Sequence, residues 1–502
     1  MNEERHGYRI DDRVRDILKE QMMPDPDELG TPPGGRNGEP TVEDINFEIK
    51  PEELIAHLQS YLVGQSHAIE MVATKICTHF HRMKLERLHT ELPRIVGNVK
   101  SNMLLIGPTG VGKTYLVKLI AHKLHVPFVK GDATKFSETG YVGGDVEDLV
   151  RELVHQVGGN IPLAEYGIIY IDEIDKIASS GNWWGPDVSR GGVQRNLLKL
   201  MEETEVDMKV PHDLASQMEA VIETQRTGKA VHKKVNTRNI LFVMSGAFNG
   251  LSDIIARRLK KGGMGFTGEA MTSALEVDYL LTRMHTQDLM DYGFESEFVG
   301  RVPVVTYLNE LDEEGLFSIL KNTNSAVIQG KRRDFAAYGI ELDFDDDALR
   351  HIAHEAARHK IGARGLVTVM EDLLLPFERS LPSAGVEKLT VTAELCNSPD
   401  SILTETITRH TFEKFTRDFS AQTGIELEFS PNAQETAIQI AAAKGVLLKR
   451  FLSEALKDYE YGLKLAGKTR FAVTKAVLQD PAGYLDGLVK KSYKQKTKSN
   501  EQ

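Results

Sequence analysis

Cysteine is nearly missing from this sequence: Cys77 and Cys396 are the only two in 502 residues, and they lie far apart. That excludes a disulfide framework and a zinc site built from thiolates, and it suits a reducing compartment. Long apolar runs are missing too, so no stretch approaches the roughly 20 residues that a membrane-spanning helix needs. The opening Met1-Asn2-Glu3-Glu4-Arg5-His6 leads into no apolar segment of the kind a secretory leader carries. A cytosolic location with no membrane partner is expected. Positive charge is in deficit, with 61 Lys and Arg against 73 Asp and Glu and a formal net charge of −12. Phosphate neutralisation needs clustered cations, so a nucleic-acid partner is not expected. The one basic cluster, Lys490-Lys491-Ser492-Tyr493-Lys494-Gln495-Lys496, reads as a solvated end.

What is present is an ordinary globular composition, 41% hydrophobic and 27% charged, in a chain long enough for roughly three domains. Residues 1–50 are polar and include Thr31-Pro32-Pro33-Gly34-Gly35, so they read as a mobile extension with folding beginning near Lys50. From Pro51 to about Arg87 the spacing predicts helix, turn, helix around Tyr61-Leu62-Val63-Gly64-Gln65. The short apolar runs Asn102 to Ile106, Gly167 to Ile171 and Asn239 to Ser245 have the length of buried parallel strands, and helical stretches separate them. The expected class is α/β with a parallel sheet. After Glu310 the pattern turns to amphipathic helices with a single strand-like piece, Ile340 to Phe344, which predicts a smaller, mainly helical domain. Its opening, Arg333-Asp334-Phe335 to Phe344, is echoed by Arg417-Asp418-Phe419 to Phe429. Fixed-spacing similarity of this kind is what a duplicated unit leaves behind, although two similar strand-to-helix junctions would also give it.

The chemistry is clearest at Gly107-Pro108-Thr109-Gly110-Val111-Gly112-Lys113-Thr114. Glycines let successive N–H groups face an anion, Lys113 reaches the outer phosphates of ATP, and Thr114 supplies a hydroxyl for Mg2+. The loop follows an apolar strand and opens a helix from Tyr115 to Leu124, as that mechanism requires. Some 60 residues on, Ile168-Ile169-Tyr170-Ile171 delivers Asp172 and Glu173 at a strand end. Asp172 is the expected metal-shell carboxylate and Glu173 the expected base that polarises the attacking water. His354-Glu355-Ala356-Ala357-Arg358-His359 is not a zinc helix, because Arg358 stands where the second histidine would have to be.

Beyond these motifs the chain resembles the ClpX/HslU-type AAA+ protein unfoldases over about residues 51–385. The likeness is carried by Tyr61 to Gln65, Gly140-Tyr141-Val142-Gly143, Ser245-Gly246-Ala247-Phe248, Glu297-Phe298-Val299-Gly300-Arg301 and Gly362-Ala363-Arg364-Gly365. It implies an AAA+ large domain at 51–308 and a small lid domain at 309–385; the internal echo adds a linker at 386–410 and a second lid-like copy at 411–502. It gives Val63 an adenine contact beside Tyr115, Ser245 the sensor-1 place, Arg364 the sensor-2 place, and Arg301 the arginine finger that enters a neighbour's site. A finger acting in trans implies a homo-oligomeric ring, by resemblance a hexamer. Tyr141 and Val142 match the pore loop that grips protein substrates, and Trp183-Trp184 the second pore loop. Each has a plainer reading: a surface ion pair for Arg301, a core-facing turn for Tyr141, a local latch for the tryptophans. Met264-Gly265-Phe266 stands where the family docks a ClpP-like peptidase, or is simply a glycine-rich turn.

The departures matter as well. The zinc-binding N-terminal domain of ClpX cannot be built here, and residues 203–238 make a longer polar insertion than the family leads one to expect. In the second copy Lys449 falls at the place of Arg364, 85 residues on, without the surrounding glycines or a second phosphate loop, so that copy should pack or dock rather than hydrolyse ATP. The expected activity is ATP-dependent unfolding and threading of polypeptides that feeds a ClpP-like peptidase. The alternatives are a remodelling chaperone without a protease and, less favoured, a nucleic-acid motor.

Overall fold

A computed structural model describes residues 41–89, 99–137, 144–179, 188–208, 233–262 and 274–499. Tyr141 and Val142, Trp183 and Trp184, and Met264, Gly265 and Phe266 lie outside the described residues. Those described fall into two compact units, one made of 41–329 with 352–369 and the other of 330–351 with 370–499. The divisions between these units fall within residues 309–385.

The first unit is built on five parallel strands: β1 (Met103–Ile106), β2 (Phe128–Asp132), β3 (Ile168–Asp172), β6 (Leu241–Gly246) and β7 (Val304–Tyr307), in the order β2-β3-β6-β1-β7. Strands β1, β3 and β6 are apolar along most of their length because both faces are covered, and Ile168, Ile169 and Ile171 are fully buried. Each such side chain contributes about 2 kcal/mol of burial. The order places β1, which carries the phosphate loop, beside β6 and leaves β3 on the far side of β6. The C-terminal ends of all three point to one edge of the sheet, the edge where open α/β sheets bind ligands. Helices Pro51–Gln59 and Ser66–Leu88 flank the Tyr61 to Gln65 turn as expected.

One expectation about extent is corrected. Residues 41–50 are not part of a polar extension, since Ile45, Phe47 and Ile49 are buried in the same core as the sheet and Asn46 N–H donates to the Leu124 carbonyl at 2.9 Å. Alternating Ile-Asn-Phe-Glu-Ile over 45–49 is the pattern of a half-buried segment, too short to stand out against the polar stretch before it. Between Glu203 and Arg238 the ends of the insertion form an antiparallel pair, β4 (Glu205–Asp207) with β5 (Lys234–Asn236); residues 209–232 lie outside the described residues.

In the second unit the single expected strand becomes four. Strand β8 (Glu341–Phe344) pairs in parallel with β9 (Lys388–Val391), and β10 (Glu426–Phe429) with β11 (Arg470–Val473). The expected linker 386–410 is therefore ordered structure: it holds β9, the helix Ala393–Asn397 and the start of the helix Pro399–Thr423. The two pairs match in detail. Lys388 bonds Glu341 at 2.8 Å, and Arg470 bonds Glu426 at 2.7 Å, at the same register position of each pair. Around β10 and β11 a separate core forms from Phe412, Leu427, Phe451, Leu463 and Val473 among others.

Candidate functional site

The phosphate loop turns from β1 into the helix Lys113–Leu124, with Gly112 in the left-handed region as its N-cap. That helix presents its N-terminus, and with it free N–H groups, toward the sheet edge. Thr109 to Tyr115 line a cavity of about 570 Å³, a size suited to a nucleotide. Tyr61, Leu62, Val63, Leu311, Ile319 and Val327 give it apolar lining, and Val63 and Tyr115 are both part of its wall. Asp172, Glu173 and Arg364 line it as well. The glycines of two distant motifs explain how Arg364 reaches it. Gly110 (φ +82°) and Gly362 (φ +58°) meet backbone to backbone: a Cβ on Gly110 would lie 2.0 Å from the Ile361 carbonyl oxygen, and Ala363 N–H donates to the Gly110 carbonyl at 2.9 Å. Only glycine permits that approach. In the second copy Leu447 stands at the place of Gly362 and is 79% exposed, so no loop of that kind can close on it.

Gly107 and Pro108 do not line the cavity; their carbonyls accept hydrogen bonds from Lys113 Nζ at 2.6 and 2.7 Å. Burial pulls the Lys113 ammonium down to about 8, against the opposing pull of Asp172 and Asp175. Burial raises the Asp172 carboxyl, but hydrogen bonds from Lys130 and Ser245 outweigh it and hold the group below the usual carboxylate value. Glu173 adopts the left-handed conformation (φ 55°), which turns the chain sharply at the strand end and leaves the side chain exposed to the cavity. Asp172 and Asp175 line the cavity as well, but both are more buried than Glu173.

Ser245 is not among the residues that line the cavity. It is fully buried, donates to Asp172 Oδ1 at 2.8 Å and bonds Tyr170 Oη at 2.5 Å. Thr114 Oγ1 donates to the same Tyr170 oxygen at 3.0 Å. A hydrogen-bonded line thus runs from Thr114 through Tyr170 and Ser245 to Asp172, joining the two residues expected at the metal. The wall from β6 is formed instead by Gly246, Ala247 and Asn249. Sequence reasoning missed Tyr170, Asn249, Asp175 and Lys130. Tyr170 had a visible signal, a phenol in an otherwise aliphatic strand. Lys130, bonded to Asp172 at 2.9 Å, had none, because only strand pairing brings β2 beside β3.

Arg301 is not at this cavity. Its guanidinium pairs with Glu202 at 2.7 Å on the surface, with both side chains half exposed. His354 pairs with Glu313 at 3.0 Å, which fits its reading as a surface helix residue. Among the described residues no cluster of three His, Cys, Asp or Glu could hold a metal, and no helix is long and apolar enough to cross a membrane.

Residues 98–305 match the family described as AAA domain (Cdc48 subfamily), and residues 311–377 the C-terminal, D2-small domain of ClpB protein. The chain is 36% identical over 349 residues to the ATP-dependent Clp protease ATP-binding subunit ClpX of Bacteroides thetaiotaomicron, covering 69% of this chain and 80% of the relative. With the protein of that name from Borrelia duttonii it shares 37% over 348 residues, 68% of this chain and 77% of the relative. The chain belongs to the ClpX family. As an AAA+ ATPase of that family it binds and hydrolyses ATP, and the cavity between Lys113, Glu173 and Arg364 has the residues for it. The parallel sheet with flanking helices is the AAA+ fold expected from the motifs.

Proposed function

We propose that this ClpX-family ATPase works as a ring, by resemblance a hexamer, that unfolds and threads polypeptides. Lys113 and the loop N–H groups would hold the phosphates, and Thr114 and Asp172 would hold Mg2+, which when bound would supply charge neutralisation at the phosphoryl group. Glu173 orients the attacking water, Arg364 senses the nucleotide, and Arg301 reaches the neighbouring subunit's site. Tyr141 and Val142 grip substrate by surface rather than by sequence.

The observation that carries this reading is the rooting of both gripping segments beside the hydrolytic residues. Residues 138–143 follow Ser137 and residues 180–187 follow Ser179. Ser137 and Ala178 line a second cavity together with Glu173, Lys176 and Asn249, all three of which also line the nucleotide cavity. Glu173 thus lines a cavity that also reaches Ser137 and Ala178, at the described ends from which the two segments leave. Met264-Gly265-Phe266 is proposed to dock a ClpP-like peptidase, Met264 being apolar and adaptable enough for a hydrophobic pocket. Pull-down of a ClpP-type peptidase by the ATP-loaded chain tests this: binding lost with Phe266→Ala supports it, and no binding by the unaltered chain leaves remodelling without proteolysis as the reading. The acidic chain is not expected to be stimulated by DNA.

A further inference from the structure

One side chain in the ATPase unit joins three segments that the proposed cycle has to move together. Gln194, on the helix Val188–Met201, is completely buried. Its Nε2 donates to the Ile177 carbonyl at 2.9 Å and to the Gly293 carbonyl at 3.3 Å, while its Oε1 accepts from Glu295 N–H at 2.9 Å. Ile177 closes the short turn that follows Asp172 and Glu173. Glu295 is the N-cap of the helix Ser296–Gly300, and the C-cap of that helix is Arg301. A buried amide is costly unless every polar atom is bonded, and a leucine or methionine would fill similar space without that demand. Packing alone therefore gives no reason for glutamine here.

The segment that Gln194 holds has a further tie to the nucleotide cavity. Ala247 and Asn249 line that cavity, and Phe248 between them (φ 52°) stacks on Phe294, with ring centres 5.8 Å apart. Phe294 stacks in turn on Phe298 of the helix at 5.4 Å. At the far end Asn102 Nδ2 donates to the Arg301 carbonyl at 3.1 Å, and Asn102 Oδ1 accepts from Phe242 N–H of β6 at 3.3 Å. The backbone of Arg301 is thus set by buried contacts, whereas its guanidinium has only the half-exposed pair with Glu202, a kind of contact that exchanges readily.

We infer that Gln194 is a positioning residue that ties the helix Ser296–Gly300, and through it Arg301, to the turn after Glu173. The nucleotide state of one subunit then governs the finger that it offers to the next. The inference rests on reading Arg301 as a finger acting in trans, and the geometry adds what connects that finger to its own subunit's hydrolytic turn. It makes a directional prediction: Gln194 matters in the subunit that donates the finger, not in the one that hydrolyses.

The test is a mixing experiment on the full chain. Arg301→Ala subunits keep a hydrolytic site but lack a finger, and Glu173→Gln subunits keep a finger but lack hydrolysis. ATPase activity recovered on mixing the two comes from sites where a Glu173→Gln subunit serves an Arg301→Ala neighbour. Gln194→Leu, and in parallel Gln194→Met, is added to one partner at a time. The expected result is a fall of fivefold or more in recovered activity when the change is in the Glu173→Gln partner, and less than twofold when it is in the Arg301→Ala partner. Affinity for a fluorescent ADP analogue should stay within twofold of the parent in both. Equal loss in either partner, loss confined to the hydrolysing one, no loss, or loss of ADP affinity overturns the role of Gln194. No recovery from the parent mixture removes the finger reading itself, and the inference with it.

Discussion

In the proposed cycle Lys113 and Glu173 carry the chemistry, and each predicts a distinct phenotype. With its pKa pulled down to about 8 by burial, Lys113 is charged below that pH and neutral above it in the free protein. Bound phosphates favour the charged form, so binding takes up a proton above pH 8, and ATP affinity should fall there by up to about tenfold per pH unit. Nucleotide titrations at pH 7, 8 and 9 check this, and Lys113→Arg, which does not titrate, should flatten the slope. Glu173→Gln should keep ATP affinity within a few-fold while lowering turnover by ~10² or more, measured as steady-state phosphate release. Away from the site, His79 is fully buried, its Nε2 bonds the Asn239 carbonyl at 3.1 Å, and burial pulls its pKa to about 4. The unfolded chain takes up that proton below about 6.5 while the folded chain does not, so His79 costs stability as pH falls from 6.5 toward 4, on the order of 3 kcal/mol by the lower limit. Urea unfolding at pH 7 and pH 5 should show the loss, and His79→Gln should reduce it.

At the scale of elements, the contact between the phosphate loop and the Ile361 to Arg364 turn is the joint that completes the nucleotide cavity. A methyl group at Gly110 would meet the Ile361 carbonyl oxygen at 2.0 Å, so Gly110→Ala should push the turn and Arg364 away. ATP affinity is expected to fall about tenfold or more, with thermal unfolding lowered by only a few degrees; Gly362→Ala, acting from the other side, should reproduce it. What was legible in the sequence follows from this geometry. The loop, Asp172 and Glu173 were readable because a phosphate site built from one continuous turn leaves its glycines, lysine and hydroxyl in fixed order. Arg364 was readable only by resemblance, since a lone Gly-Ala-Arg-Gly has many uses. Lys130 and Gln194 were not readable at all: Lys130 acts across a strand pair, and Gln194 is, by sequence, one polar residue among several in a helix. For Ser245 the sequence shows a hydroxyl at a strand end but not its partners, Tyr170 and Asp172, which strand pairing brings beside it.

At the scale of the whole molecule, the α/β sheet was legible, and the expected step from large to small domain near 308 agrees with family matches that end at 305 and begin at 311; the content of 386–410 was not legible. Strand β9 lies within the expected linker, and its signal is a second, shorter echo: Val391-Thr392 to Pro399 repeats in Val473-Thr474 to Pro481. The copy built on β10 and β11 has its own core and presents Leu447 and Tyr461, each 79% exposed, to its surroundings. The account of the whole rests on ATP hydrolysis doing mechanical work on polypeptide. The most direct measurement follows the fluorescence of a stably folded, tagged fluorescent protein mixed with the chain and ATP. Fluorescence should be lost with the unaltered protein, kept with Glu173→Gln, and kept with Tyr141→Ala although that variant still hydrolyses ATP. Hydrolysis by the unaltered protein without loss of fluorescence, or equal loss with Tyr141→Ala, would contradict the account.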